Sequence, residues 1–498
     1  MPISQTDTDD RPRAGQGRDF LGGPARNRRR ALPVAVILLA AGAAPAFAHV
    51  SDRAYVLLLP TGYYLIGGGL AVWLSFAVLA LVPPASLDRL ARWRSAGLAV
   101  RVDPRAVTSS VSFLVLLALL AAGLLGSRDP LSNPLPLVFW VFVWIGVVLV
   151  QGLFGNLWRW IEPWYGPWRL IMRLLGRPDG RPFLRYPARA ASWPAFFGFA
   201  AFVWFELVFI APADPEKLAI AIAVYWVVAF FGMIVFGHPS WSRQAEFLSL
   251  LMTMVARMAF VERRRDRPGR TVLRLCLPGA RLASAPALAT SAAAFLLLTL
   301  SAISFDGLMR TFFWLGLFGV NPLEFPGRSA VVWSNSIGAA GAFAALWVLF
   351  HGAVRLGSRM AGEGPDNARL AGRLVWSLIP IVLGYHYSHH LPALLVDGQY
   401  TLAAISDPFA TGWNLFGTAG MHVAAALTAG ADTAWLIWNL QSAAIIGGHL
   451  LAVAASHVIA WRCYGSARRA TVSQVPLAGL MVAYTVFGLW LLSTPTGY

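Results

Sequence analysis

Ten runs of about 20 apolar residues constrain this chain more than any other feature, because the segments between them alternate between arginine-rich and arginine-poor. A run of that length crosses the hydrocarbon of a bilayer as a helix. Only helices and closed barrels satisfy their own backbone groups there. The runs fall at 61–82, 107–126, 135–154, 193–210, 218–236, 283–304, 329–350, 374–396, 434–461 and 475–492. The sequence therefore predicts an all-α polytopic transmembrane helix bundle of about ten spans, with the lipid bilayer as its first partner. Composition agrees: 57% of the 498 residues are hydrophobic and 13% are charged, about half the charged share of a soluble domain.

The arginines orient the spans. The formal charge is +17, yet the only lysine is Lys217. Arginines cluster after the first run (Arg89 to Arg105), the third (Arg159 to Arg189), the fifth (Arg243 to Arg281), the seventh (Arg355 to Arg373) and the ninth (Arg462 to Arg469). The intervening loops are arginine-poor, and 397–432 contains neither Arg nor Lys. This is the positive-inside pattern, and it accounts for the basicity without any nucleic-acid partner. It predicts a bacterial inner-membrane protein with both termini periplasmic. Cys276 and Cys463 fall in arginine-rich loops and are expected as reduced thiols.

Residues 1–48 read as a signal peptide. Arg28-Arg29-Arg30 precedes an apolar run at 31–44, and Ala46-Phe47-Ala48 supplies a small-residue cleavage site. Cleavage leaves a single integral membrane domain, 49–498. The other reading is an uncleaved anchor. A mature His49 would pair an amino group with an imidazole, as copper-chelating N-termini do, but Ala-His is also an ordinary start. Two apolar segments do not fit the span scheme. The stretch 245–261 is short and flanked by arginines, which predicts a helix lying in the cytoplasmic interface. The stretch 311–320 is a re-entrant segment or a packed loop. Trp158-Arg159-Trp160-Ile161-Glu162-Pro163-Trp164 reads as an aromatic belt closed by a proline turn, and His238 and His351 as interfacial.

Chemistry concentrates in Gly384-Tyr385-His386-Tyr387-Ser388-His389-His390-Leu391-Pro392. On a helix His386, His389 and His390 share an arc of roughly 100°. Ionisable groups are costly in lipid, so they face a cavity, a partner or a metal. Imidazole and carboxylate are the usual ligands of divalent transition metals. The three histidines are therefore candidate ligands. Asp397 at the mouth of the same span and Asp407 in the next loop are candidate bases or ligands. Asp306, Glu206 and His422 lie towards the same side of the membrane; Asp397, Asp407, His422 and Asp306 each also read as solvated or turn residues. His449, preceded by Gly447-Gly448, sits mid-span. It offers a haem ligand if paired with a histidine at similar depth, His386 being nearest, or a hydrogen bond to Asn439 or Gln441. His457 lies about 12 Å further along the helix, too far to share an ion with His449. Walker, Gly-x-Ser-x-Gly, His-Glu-x-x-His, Cys-x-x-Cys and CxxCH motifs are all missing.

Several stretches together resemble one family. They are Asn133-Pro134 to Trp140 with Phe154-Gly155-Asn156-Leu157-Trp158, Ser304-Phe305-Asp306-Gly307, and Tyr385 and His389 followed by Gly398-Gln399. To these are added Ile405-Ser406-Asp407-Pro408, Gly412-Trp413-Asn414-Leu415-Phe416-Gly417-Thr418-Ala419, Gly448-His449 with His457, Ser473-Gln474 and Gly488-Leu489-Trp490. Over most of 49–498 the chain resembles the fenitrothion hydrolases, polytopic bacterial membrane proteins with many uncharacterised relatives. The resemblance singles out His389, His449, His457, Asp306 and Asp407; His386 and His390 are additional here. It implies a membrane-embedded hydrolase of lipophilic organophosphorus triesters, in which a histidine-bound metal activates water. The alternative from the residues themselves is a transporter or assembly factor for a transition metal or haem.

Overall fold

The computed structural model describes residues 61–100, 103–267, 270–324, 327–362, 364–424 and 430–495. The signal-peptide segment and His49 lie outside the described residues. Among them, nine helices are long and apolar enough to cross a membrane. The spans that frame the site are α1 (Thr61–Leu81), α2 (Arg105–Leu125), α3 (Pro134–Phe154) and α5 (Pro215–Phe236). After them come α7 (Thr290–Met309), α8 (Val332–Ala361), α9 (Ile379–Ala404), α10 (Ala431–Tyr464) and α11 (Ala467–Ser493). The fourth predicted span is a shorter helix, α4 (Trp193–Leu207). The bundle is all-α and polytopic, as its apolar runs predict.

Local chemistry sets the helix starts. Asn133 caps α3 by accepting from Leu135 N–H at 2.9 Å, and its amide ties back to the Ala122 and Ser127 carbonyls at 2.8 Å each. Asp214 caps α5 through Lys217 N–H at 3.0 Å. Large apolar side chains such as Tyr63, Ile66, Phe231 and Trp333 are exposed, whereas Gln151, Asp306, His386, His449 and Gln474 are buried. A water-soluble fold reverses that arrangement.

At the centre, 15 of the 20 residues of α7 are buried. It packs on α4, α8 and α9; α9 packs on α3 and α10; and α10 and α11 close on α1. The α9–α10 crossing is tight because it is made by glycines. A Cβ on Gly384 would stand 2.5 Å from the Ala444 carbonyl oxygen, and one on Gly448 would stand 2.6 Å from that of Pro380. This is the small-residue contact by which helices approach in lipid.

Three expectations need correction. The segment read as interfacial contains α6 (Phe247–Val255), which is buried in eight of its nine residues. Glu246 starts it inside the bundle, accepting from Leu248 and Ser249 N–H and from the Tyr225 hydroxyl. A helix apolar on every side suits a protein interior better than an interface. Trp158 and Trp164, read as an aromatic belt, are buried, and Trp158 Nε1 donates to Ser249 Oγ at 3.1 Å. His238 is not simply interfacial. It is buried against Glu162 at 3.2 Å, and Glu162 also pairs with Arg105. Burial tends to raise the Glu162 pKa, but the hydrogen bond and charge of His238 and the charge of Arg105 outweigh it and hold the carboxyl below its usual range.

The arginine-rich end carries a small antiparallel sheet that the span pattern does not anticipate. Strands β1 (Leu98–Val100), β2 (Val261–Arg267) and β3 (Arg270–Leu275) pair in the order β1-β3-β2. Asp88 braces the same end, bonding Arg462 at 2.6 Å and Arg92 at 2.7 Å.

Candidate metal centre

Asp306, His389 and His390 converge inside the bundle. One ligand atom from each lies within 4.8 Å of the others. Asp306 sits near the end of α7, where its Oδ2 accepts from His389 Nε2 at 2.5 Å and its Oδ1 from Arg310 at 2.7 Å. His390 Nδ1 donates to the His386 carbonyl one turn back, at 3.1 Å. That bond sets the tautomer and leaves Nε2 with its lone pair available. The three rings of α9 are packed together: His390 lies 4.6 Å from His386 and 4.8 Å from His389, centroid to centroid.

His386 does a different job. Its Nε2 donates to the Trp144 carbonyl of α3 at 3.0 Å, and its ring meets the Trp144 indole edge-on at 5.5 Å. The stretch Val138–Val147 around that carbonyl is wound as a π-helix, a form that recurs at functional sites. Asp306, rather than His386, completes the convergent group.

A cavity of ≈ 30 Å³ adjoins the group, lined by Glu206, Asp306, His386 and His390 together with Trp144 and apolar residues that include Leu251 and Val255 at the buried 247–258 segment. Arg328 of the following loop donates to the Glu206 carbonyl at 2.8 Å and to that of Phe209 at 3.2 Å, which anchors the end of α4 beside the cavity. Two acidic side chains thus face one cavity with Arg310 alongside. One carboxylate with two imidazoles is a common donor set for zinc and its neighbours. A bound ion would take the place of the proton held between His389 and Asp306.

The remaining sequence candidates lie elsewhere. Asp397 is two turns beyond His390 on α9, about 10.5 Å along it. Asp407 closes a turn, accepting from Thr411 N–H at 3.0 Å and Gly412 N–H at 2.8 Å. Slight desolvation acts to raise the Asp407 pKa, but backbone N–H groups of Gly412, Thr411 and Trp413 hold it below its usual range. His422 is exposed. His449 is fully buried; its Nδ1 donates to the Ile445 carbonyl at 2.8 Å, and its ring neighbours are Tyr385 at 6.0 Å and Tyr484 at 6.4 Å. His386, engaged with Trp144, is not its partner. Sequence reasoning did not pick out Arg310, although its spacing of four from Asp306 on a helix was visible. The Trp144 carbonyl carried no side-chain signal at all.

No protein-family model, curated protein or solved structure matches this chain.

Proposed function

We propose that this protein binds a divalent transition-metal ion within the membrane, at Asp306, His389 and His390, and passes it through the bundle. The observation that carries this reading is the convergence of the three ligand atoms from two packed helices, beside a cavity that also holds Glu206. Intramembrane ionisable groups that pair with one another mark ion pathways. The arginine-rich end is taken as cytoplasmic, which puts the metal group nearer the periplasm of an inner membrane.

Hydrolysis of a triester at the same ion is the reading that the family resemblance implies. The size of the adjoining space weighs against it. Pockets for molecules of that class run to about 300–1,000 Å³, at least roughly ten times the ≈ 30 Å³ beside the cluster.

Purified protein, stripped by chelator and titrated with Co(II) or Zn(II), is expected to bind one ion, with binding lost in His389→Ala. Proteoliposomes should accumulate that metal, and the variant should not. Wild-type protein that binds no metal would overturn the reading. Fenitrothion turnover that chelator stops and His389→Ala abolishes would replace it with the hydrolase. Reporter fusions after Gly398 and after Arg469 test the orientation, with periplasmic and cytoplasmic signals expected respectively.

A further inference from the structure

Helix α10 carries more polar groups through the bundle than its packing uses. Ser442, His449 and Ser456 recur every seven residues, two helical turns, and so share a face; His457 adjoins Ser456. All four are buried. Ser456 is satisfied by the Val453 carbonyl at 3.0 Å. Ser442 Oγ, His449 Nε2 and both ring nitrogens of His457 have no hydrogen-bond partner among the described residues. Across the turn at Gly465, α11 runs back beside α10. There Gln474 is buried with neither its amide nitrogen nor its oxygen partnered. Tyr484 meets His449 across this hairpin. About ten residues towards the turn on each helix stand Gln474 and Ile459, so Gln474 lies near the depth of His457. Buried polar atoms normally have partners, and in lipid an orphan is costlier still.

The outer end of this line meets the metal cluster. A second cavity, of ≈ 40 Å³, is lined by His389, Tyr385, Ser388, Ile445, Gly307 and Gly488. A cavity needs only about 10–15 Å³ to hold a water. Tyr385 reaches it because residue 488 is glycine: a Cβ there would stand 1.9 Å from the Tyr385 hydroxyl. The cavity thus runs from His389 to Tyr385, whose ring is 6.0 Å from His449.

What moves along the line is set by its donors. His449 and His457 are about 12 Å apart along α10, and among the described residues the only convergent metal-ligand group is Asp306, His389 and His390. A second ion is therefore not held here. Each imidazole can instead take a proton on a free nitrogen and return it to the next water.

We propose that α10 and α11 form a proton path from the cavity beside His389 to the arginine-rich end, with His449 and His457 as carriers, Ser442 ordering water on the outer side of His449 and Gln474 beside His457. Its outer end adjoins the proposed metal group, because the cavity that opens the path is lined by His389. The path itself needs no metal.

Full-length protein in liposomes with an internal pH dye tests it. A potassium diffusion potential set by valinomycin should drive protons through wild-type vesicles faster than through empty ones. His449→Gln and His457→Gln should each slow that flux about tenfold, because Gln has no titratable nitrogen; Gln474→Leu should slow it as well. Retained Co(II) binding, or an unchanged unfolding temperature, identifies the folded variants. Wild-type vesicles no leakier than empty ones, or folded histidine variants with wild-type flux, would overturn the path. Proton flux without metal binding in the wild type would support the path and remove the metal reading alone.

Discussion

The side-chain amide of Gln441 donates to the Ser388 carbonyl at 2.6 Å. Pro392 lies inside α9 and has no N–H to offer that carbonyl. Ser388 Oγ returns a bond to the Gln441 carbonyl, also at 2.6 Å. The proline therefore leaves an acceptor open inside the bundle, and the neighbouring helix fills it between His386 and His389.

Gln441→Leu is expected to destabilise the protein by about 1–3 kcal/mol, the usual cost of an orphaned buried acceptor. Thermal unfolding in detergent measures it. The loss should shrink in a Pro392→Ala background, where the backbone gains an N–H that can serve the Ser388 carbonyl. Equal losses in both backgrounds would remove this account of the Gln441 bond.

Removal of single donors should separate the roles of the α9 histidines. His389→Ala and Asp306→Ala are expected to weaken Co(II) binding by more than about 100-fold, and His386→Ala by about 10–100-fold at most, the range of outer-shell changes. Titration of the cobalt absorption bands reads all three. An effect of His386→Ala as large as that of His389→Ala would place His386 among the ligands.

Adjacent glycines of α10 should behave differently. Gly448→Ala puts a methyl group 2.6 Å from the Pro380 carbonyl oxygen, whereas Gly447→Ala meets nothing within 4 Å. The first is expected to cost about 1–3 kcal/mol, as overpacking does, and the second to be neutral or slightly stabilising. Unfolding midpoints of the two variants compare them directly.

Asp88 should make stability depend on acid pH. Burial tends to raise its pKa, but the hydrogen bonds and charges of Arg462 and Arg92 hold it below the ordinary 3.8. A carboxyl with a depressed folded pKa contributes stability that is present above its unfolded pKa and is lost as pH falls through the folded one. Denaturant midpoints should therefore be flat with respect to this group above pH 3.8 and fall below it. The fall should be shallower in Asp88→Asn.

Much of the architecture was legible in the sequence because the rule behind it is local. A helix in lipid needs about 20 apolar residues and satisfies its own backbone, so spans and the polar residues that break the apolar runs can be read from short windows. Partners cannot. Asp306 meets His389 across 83 residues of chain, from 306 to 389; the acceptor for His386 is a backbone carbonyl on a third helix; and α6 is buried although its flanking arginines suggest an interface. Where every face of a helix is apolar, hydrophobic patterning no longer says which face turns inward. Close fit at small residues such as Gly384 and Gly448, and polar bonds such as Ser388 to Gln441, make that choice, and both depend on chain segments far apart in sequence.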